Sequence, residues 1–232
     1  MERKIKGVVF DLDHTLFDRY ATLRKIALTL PFDDMPFCEN ISREELGEIM
    51  VKVDKEKVLF GWDEVYDEYK KLGLLKSEIK KEKFFDNFFR KFYFSVAVPF
   101  PFTKPMLKKL QNDGYKVGLL TNGDRALQTK KLQMLELTDS FDAIVISGDT
   151  PYNKPDPRIF SYITEKLSLK AEECIYVGDN PLNDVDASSR AGLIPVWVKT
   201  AGIWQFPELK RAEYEVETVE EIPSFLEKIN NI

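Results

Sequence analysis

The 232-residue sequence is poor in the residues that build soft-metal sites and covalent staples: it has one histidine, His14, and two cysteines, Cys38 and Cys174. The cysteines lie far apart, and their spacing does not suit a structural metal site. It also lacks an excess of positive charge. Lys and Arg total 34 against 39 Asp and Glu, a net charge of -5, which argues against nucleic acid as the main partner because backbone binding needs a concentrated cationic surface. Long apolar runs are missing too. The charged start Met1–Lys6 is followed by an apolar run that stops at Asp11, too short for a signal-peptide core, and no later stretch is long enough to span a bilayer. The expectation is therefore a cytoplasmic protein with no membrane partner and reduced thiols, Cys174 serving as a small core residue. No internal repeat or low-complexity tract suggests a solenoid or a disordered tail.

What is present is an ordinary globular composition, 44% hydrophobic and 31% charged, in a chain long enough for a core domain with a smaller one inserted. Five short apolar runs stand out: Gly7–Phe10, Val117–Leu120, Ala143–Ile146, Cys174–Val177 and Pro195–Val198. Near-continuous apolar character, without alternation, suits parallel strands covered on both faces. Helical stretches follow: one from Asp124 with Leu127, Leu132 and Leu135, one from Asp156-Pro157 with Ile159, Phe160 and Ile163, and one from Pro181 to Ala191 ending at Gly192. The last begins with the capping box Thr218–Glu221 and carries Phe225, Leu226 and Ile229. Such strand–helix alternation predicts an α/β fold with a doubly wound parallel sheet.

One gap breaks the rhythm. Between the first two strands, the sequence predicts helices over Arg19–Leu30, Ser42–Val53, Gly61–Leu72 and Ser77–Phe94, enough for an inserted all-α bundle. The expected division is a core of residues 1–17 and 98–232 with a helical cap of residues 18–97. The crossings at Phe17-Asp18 and at the proline-stiffened Val98–Phe102, a hinge strand by its composition, lie close together, as a movable cap requires. Phe84, Phe85, Phe88, Phe89 and Phe92 recur at helical spacing and predict the aromatic core of the cap, with a contact to the sheet domain.

In an open α/β sheet, ligands bind outside the carboxyl ends of the strands. Asp11-Leu-Asp13-His14-Thr15 follows the first run, Thr121-Asn122-Gly123-Asp124 the second, Lys154-Pro-Asp156 the third, and Gly178-Asp179-Asn180, with Asp184 beyond, the fourth. Asp11, Asp13 and Asp179 together repel one another unless a cation joins them, and their oxygen donors suit Mg2+. Lys154, the Thr121 hydroxyl and the Asn122 backbone can then clamp the oxygens of a phosphoryl group. Asp11 is positioned to attack phosphorus and form an aspartyl-phosphate. Asp13 can protonate the leaving oxygen and then activate the hydrolytic water.

The segments FDLDHTLFD, LLTNGD, NKPDPRIF and VGDNPLND resemble, in order and placement, the four motifs of the haloacid dehalogenase superfamily, and the insertion resembles that family's helical cap. The resemblance covers the whole sheet domain. It implies a Rossmann-like core, Asp11 as nucleophile and metal ligand, and Asp13 as acid/base whose backbone carbonyl also binds Mg2+. It implies further that Thr121 and Lys154 hold the phosphoryl group, that Asp179 completes the metal site, and that Asp184 supports it. The expected activity is a phosphatase acting on a small phosphorylated metabolite, in a monomer or homodimer, with cap closure excluding water.

Plainer roles suit the remaining polar residues. Thr15 is expected to stabilise the turn after the strand, His14 to lie exposed or packed in its loop, Asp124 to start a helix, and Asp156 to cap its helix or orient Lys154. Other activities weighed are a phosphomutase, which shares all four motifs, a 2-haloacid dehalogenase, which generally lacks the second carboxylate, and a silent scaffold, which normally loses a nucleophile or metal ligand.

Overall fold

A computed structural model describes residues 4–57, 61–85, 88, 96–200 and 204–230, and the chain divides into two compact units, Asp18–Val98 and Met1–Phe17 with Pro99–Ile232. The first unit is helical: α1 (Arg19–Thr29), α2 (Arg43–Lys57), α3 (Trp62–Lys71) and α4 (Lys81–Phe84). Asp18 caps α1, its carboxylate accepting from the Ala21 N–H at 2.8 Å, which satisfies one of the free donors of the first turn. The chain ends of the unit are tied together, because the Asp18 N–H donates to the Val98 carbonyl at 2.9 Å and the Val98 N–H donates to Thr22 Oγ1 at 3.0 Å. Arg19 and Asp54 join α1 to α2 through a buried ion pair of 2.7 Å.

The aromatic stripe is partly visible. Phe84 and Phe88 are buried, with ring centroids 5.7 Å apart, and Phe37 lies edge-on to Phe88 at 5.2 Å and to Tyr69 at 5.0 Å. Edge-to-face packing of this kind adds to the burial of the rings themselves. The expected helix from Ser77 starts instead at Lys81, after a bend whose Ile79 carbonyl accepts the Tyr66 hydroxyl at 2.9 Å; Phe89 and Phe92 lie outside the described residues.

The second unit is a parallel sheet of six strands: β1 (Gly7–Phe10), β2 (Lys116–Thr121), β3 (Ala143–Ile146), β4 (Cys174–Gly178), β5 (Ile194–Val198) and β6 (Tyr214–Val216). Their order is β3-β2-β1-β4-β5-β6, so the chain winds outward from β1 in both directions. The five apolar runs form the first five strands. The sixth, Tyr-Glu-Val, is short and half-polar at the sheet edge, where a continuous apolar run is not required. Register places Phe10 opposite Leu119 on one side and Val177 on the other, which aligns the carboxyl ends of the three central strands.

The helices of this unit are α5 (Thr103–Asn112), α6 (Arg125–Met134), α7 (Ile159–Leu167), α8 (Ala187–Arg190) and α9 (Ile222–Asn230). Ile159, Phe160 and Ile163 of α7 pack with Val9, Leu120 and Tyr176 of the sheet, each fully buried aliphatic or aromatic side chain contributing about 1.5–3 kcal/mol. Val8 and Phe10, which point the other way along β1, are equally buried, so both faces are covered. Helix α5, not anticipated after the two prolines, packs on β2 and α9. Val98–Phe102 forms no strand; Pro99 makes one isolated bridge, to Phe17. Among the described residues no helix is long and apolar enough to cross a membrane.

Candidate active site

The Asp11 N–H donates to the Val177 carbonyl at 2.9 Å, carrying the β1–β4 ladder one residue past the strand and fixing where the Asp11 carboxylate emerges. On the neighbouring strand, β4 ends at Gly178, followed by Asp179 and by Asn180, whose side chain caps the next turn by accepting from the Leu182 and Asn183 N–H groups at 3.0 and 2.9 Å. The segment after it is a π-helical turn, Pro181–Asp186, before α8, and not the single helix expected. That turn directs Asp184 back toward the strand ends, where its Oδ2 accepts from the Asn180 N–H at 2.9 Å. Gly178 makes the space: a Cβ there would stand 2.5 Å from the Asp184 carboxyl carbon. Asp179 is fixed through its backbone, its carbonyl accepting from Trp197 Nε1 at 2.8 Å.

Lys154 reaches this group from the loop after β3. Its Nζ lies 2.7 Å from Asp11 Oδ1, 2.7 Å from Asp184 Oδ1 and 2.8 Å from the Tyr176 hydroxyl. Its backbone is gripped at both ends by one side chain: the Lys154 N–H donates to Asn122 Oδ1 at 2.9 Å, and Asn122 Nδ2 donates to the Lys154 carbonyl at 2.8 Å. Asn122, and not Asp156, therefore orients the lysine. Asp156 is occupied by Arg158, which donates from its backbone N–H at 3.0 Å and from Nε at 2.9 Å.

Asp11, Asp179 and Asp184 each offer one carboxylate oxygen, all within 4.8 Å of one another and all buried. Burial pushes the Asp11 carboxyl up to about 7, with the nearby Asp184 and Asp13 charges adding to the rise and Lys154 opposing it. Asp179 is held well above the ordinary carboxylate range by burial and by Asp184 and Asp11. Burial alone would lower the Lys154 ammonium, but the Asp11 and Asp184 carboxylates reverse that and hold it well above its usual value. Three buried carboxylates face one ammonium, and the surplus of negative charge in an all-oxygen donor set is what a hard divalent cation such as Mg2+ fits.

The Asp13 carboxylate, about a quarter of its side chain exposed, is held differently. Lys131 Nζ lies 2.8 Å from both of its oxygens, and Gln128 Nε2 lies 3.3 Å from Oδ2. The same amide nitrogen donates to Thr121 Oγ1 at 2.7 Å. Six of the seven sequence-predicted site residues, Asp11, Asp13, Thr121, Asn122, Lys154 and Asp184, are thus linked by hydrogen bonds, directly or through Gln128, and the seventh, Asp179, lies beside Asp11 and Asp184. His14 is buried in its loop in a left-handed conformation, φ 61°, and its carbonyl accepts from the Thr200 hydroxyl. Thr15, expected to stabilise the turn after the strand, is fully buried there, and its hydroxyl has no hydrogen-bond partner among the described residues.

Lys131, Gln128 and Tyr176 were missed by sequence reasoning. The available signal was polar residues on the inward face of a helix: Gln128, Lys131, Leu132 and Leu135 recur at spacings of three and four. Tyr176 is the one hydroxyl-bearing residue in an otherwise apolar strand, and a buried phenol needs a partner; it donates to the Leu120 carbonyl at 2.9 Å.

Similarity to known proteins agrees with this chemistry. A glyceraldehyde 3-phosphate phosphatase of Methanocaldococcus jannaschii is 26% identical over 230 residues, 98% of each chain. A human N-acylneuraminate-9-phosphatase is 34% identical over 128 residues, 55% of this chain and 51% of that protein, so the match spans about half of its length. The solved structure of a HAD phosphatase from Thermococcus onnurineus superposes with a TM-score of 0.62 at 27% identity, covering 96% of this chain and 98% of that one. The sequence model of the haloacid dehalogenase-like hydrolases matches residues 8–198, and the chain belongs to that family.

Proposed function

We propose that this chain is a Mg2+-dependent phosphatase that hydrolyses a small phosphomonoester through an aspartyl-phosphate on Asp11. The observation that carries it is the placement of Lys154 between Asp11 and Asp184, with Asp179 beside them, together with a second carboxylate, Asp13, two residues from the first. Asp11, Asp179 and Asp184, with the Asp13 backbone carbonyl, would hold the ion. Bound there, Mg2+ offsets the charge of carboxylates and phosphate and so lets the two approach.

The chain's own residues then divide the work. Asp11 attacks phosphorus, forming one P–O bond as the bond to the substrate alcohol breaks. Asp13 gives its proton to the leaving oxygen. In the second step water attacks phosphorus, its proton passes to Asp13, and Asp11 is released as carboxylate with inorganic phosphate. Thr121 and the Asn122 backbone donate to phosphoryl oxygens, while the Lys154 ammonium faces the charge that spreads over them in the transition state. Gln128 donates into Thr121 Oγ1 at 2.7 Å, and the threonine hydroxyl itself makes only a long 3.4 Å bond to the Asn122 carbonyl, which it can exchange for a phosphoryl oxygen. Relatives named for glyceraldehyde 3-phosphate and N-acylneuraminate-9-phosphate support a small phosphorylated carbohydrate-like metabolite as substrate, and the helical unit takes the part of the substrate-selecting cap.

The test is phosphate release from 4-nitrophenyl phosphate by the whole chain. We expect release that needs added Mg2+, stops in excess chelator and is abolished by Asp11→Asn and by Asp13→Asn. Full activity in chelator or in either variant would rule the mechanism out.

A further inference from the structure

We infer that Lys131, with Gln128, positions the Asp13 carboxylate for proton transfer to the leaving oxygen; the inference rests on the phosphatase reading above. Asp13 lies one residue past Leu12 in a loop, and a loop carboxylate with open rotamers spends little time aimed at any one atom. Here its direction is set from α6. The Lys131 ammonium lies 2.8 Å from each Asp13 oxygen, and the lysine itself is buried. Its Nζ also sits 5.3 Å from the centre of the Phe17 ring, so apolar and aromatic packing fixes the long side chain on one side while Asp13 fixes it on the other.

Gln128 supplies the second hold, and it couples two parts of the site. One amide nitrogen contacts Asp13 Oδ2 at 3.3 Å, Thr121 Oγ1 at 2.7 Å and the Asn122 carbonyl at 3.0 Å. The proton-transfer group and the phosphoryl-binding hydroxyl are thereby held in register by one side chain. Gly123 makes room for that side chain, with φ 138° and a position where an added Cβ would come within 3.1 Å of Gln128 Cγ. A surface salt bridge would need none of this. Lys131 is buried at a cost that a solvated lysine avoids, and it faces Asp13, a carboxylate to which Lys154 makes no bond.

If Lys131 acts through Asp13, its loss matters most when the departing oxygen needs a proton. Phenyl phosphate and 4-nitrophenyl phosphate are similar in shape and differ in leaving group, the phenolate being much the poorer. We expect Lys131→Met to lower kcat for phenyl phosphate by roughly 10²-fold, within the range of general acid catalysis. The loss for 4-nitrophenyl phosphate should be about tenfold smaller, with KM for both little changed. Equal loss on both substrates, or no loss, would overturn the positioning role while leaving the phosphatase reading intact. Absence of Mg2+-dependent release by the unaltered protein would sink both. Circular dichroism checks folding; should Lys131→Met not fold, Lys131→Leu, which likewise offers Asp13 no donor, is read in the same assay by the same two outcomes.

Discussion

Each unit of the molecule buries charge, and the two do it in opposite ways. In the helical unit one guanidinium meets one carboxylate: Arg19 Nη2 and Asp54 Oδ1 are 2.7 Å apart, with side chains 8% and 3% exposed. Among the described residues the charges of the pair match one to one, and it is bidentate, with Nε adding bonds of 3.1 and 3.0 Å, as a structural link between two helices should be. In the sheet unit one ammonium, Lys154, faces three buried carboxylates, Asp11, Asp179 and Asp184. Nothing in packing requires such a surplus, and it costs stability. A balanced buried pair can be explained by architecture alone; an unbalanced one either holds protons or takes a cation to offset it.

The sharpest way to break this contrast is to remove one charge from each cluster. Asp11→Asn should lower phosphate release by roughly 10³-fold or more, yet calorimetry of the metal-free protein at pH 8 should show no loss of thermal stability, because a surplus negative charge has gone. Asp54→Ala should do the reverse for the protein as a whole. It removes the carboxylate partner of a buried guanidinium, and urea unfolding should report a loss of about 3–5 kcal/mol. The double change Arg19→Met/Asp54→Leu, which removes both charges, should recover most of that loss.

A smaller effect tests the shape of the unbalanced cluster. Gly178→Ala puts a Cβ 2.5 Å from the Asp184 carboxyl carbon. The overpacking should cost about 1–3 kcal/mol, and displacing Asp184 should weaken Mg2+ binding measured by calorimetric titration.

The smallest effect is on pH dependence. In the metal-free protein Asp11 keeps its proton up to about 7, against an ordinary value of 3.8. Between those values the folded state binds more protons than the unfolded state. The stability that Asp11 contributes is therefore complete below its ordinary value and is lost as pH rises through about 7. Mg2+ competes with that proton. Its addition should raise Tm by more at pH 8 than at pH 5, and an equal rise at both would contradict the charge surplus.

Much of this was legible in the sequence, for definite reasons. The two central strands are buried on both faces, so Gly7–Phe10 and Cys174–Val177 had to be nearly all apolar and were conspicuous. The polar segments that end them carry Asp11, Thr121, Lys154 and Asp179 because a parallel sheet delivers every carboxyl end to one rim. What escaped notice depends on side-chain direction. Lys131 is one of two adjacent lysines on its helix until the fold turns it inward onto Asp13. Tyr176 passes for strand filling until its hydroxyl is found 2.8 Å from Lys154. Asp184 looked like remote support for a metal, but the π-helical turn brings it onto the lysine itself. The edge strand Tyr214–Val216 has too few apolar residues to announce itself.

The central claim, that Asp11 is the working carboxylate of the unbalanced cluster, can be tested directly on the reacting protein. Enzyme turning over 4-nitrophenyl phosphate with Mg2+ is quenched in acid and treated with borohydride, which reduces an acyl phosphate to an alcohol, and the peptides are sequenced by mass spectrometry. Homoserine is expected at position 11. An intact Asp11 in protein that is releasing phosphate, or reduction at any other carboxylate, would contradict it.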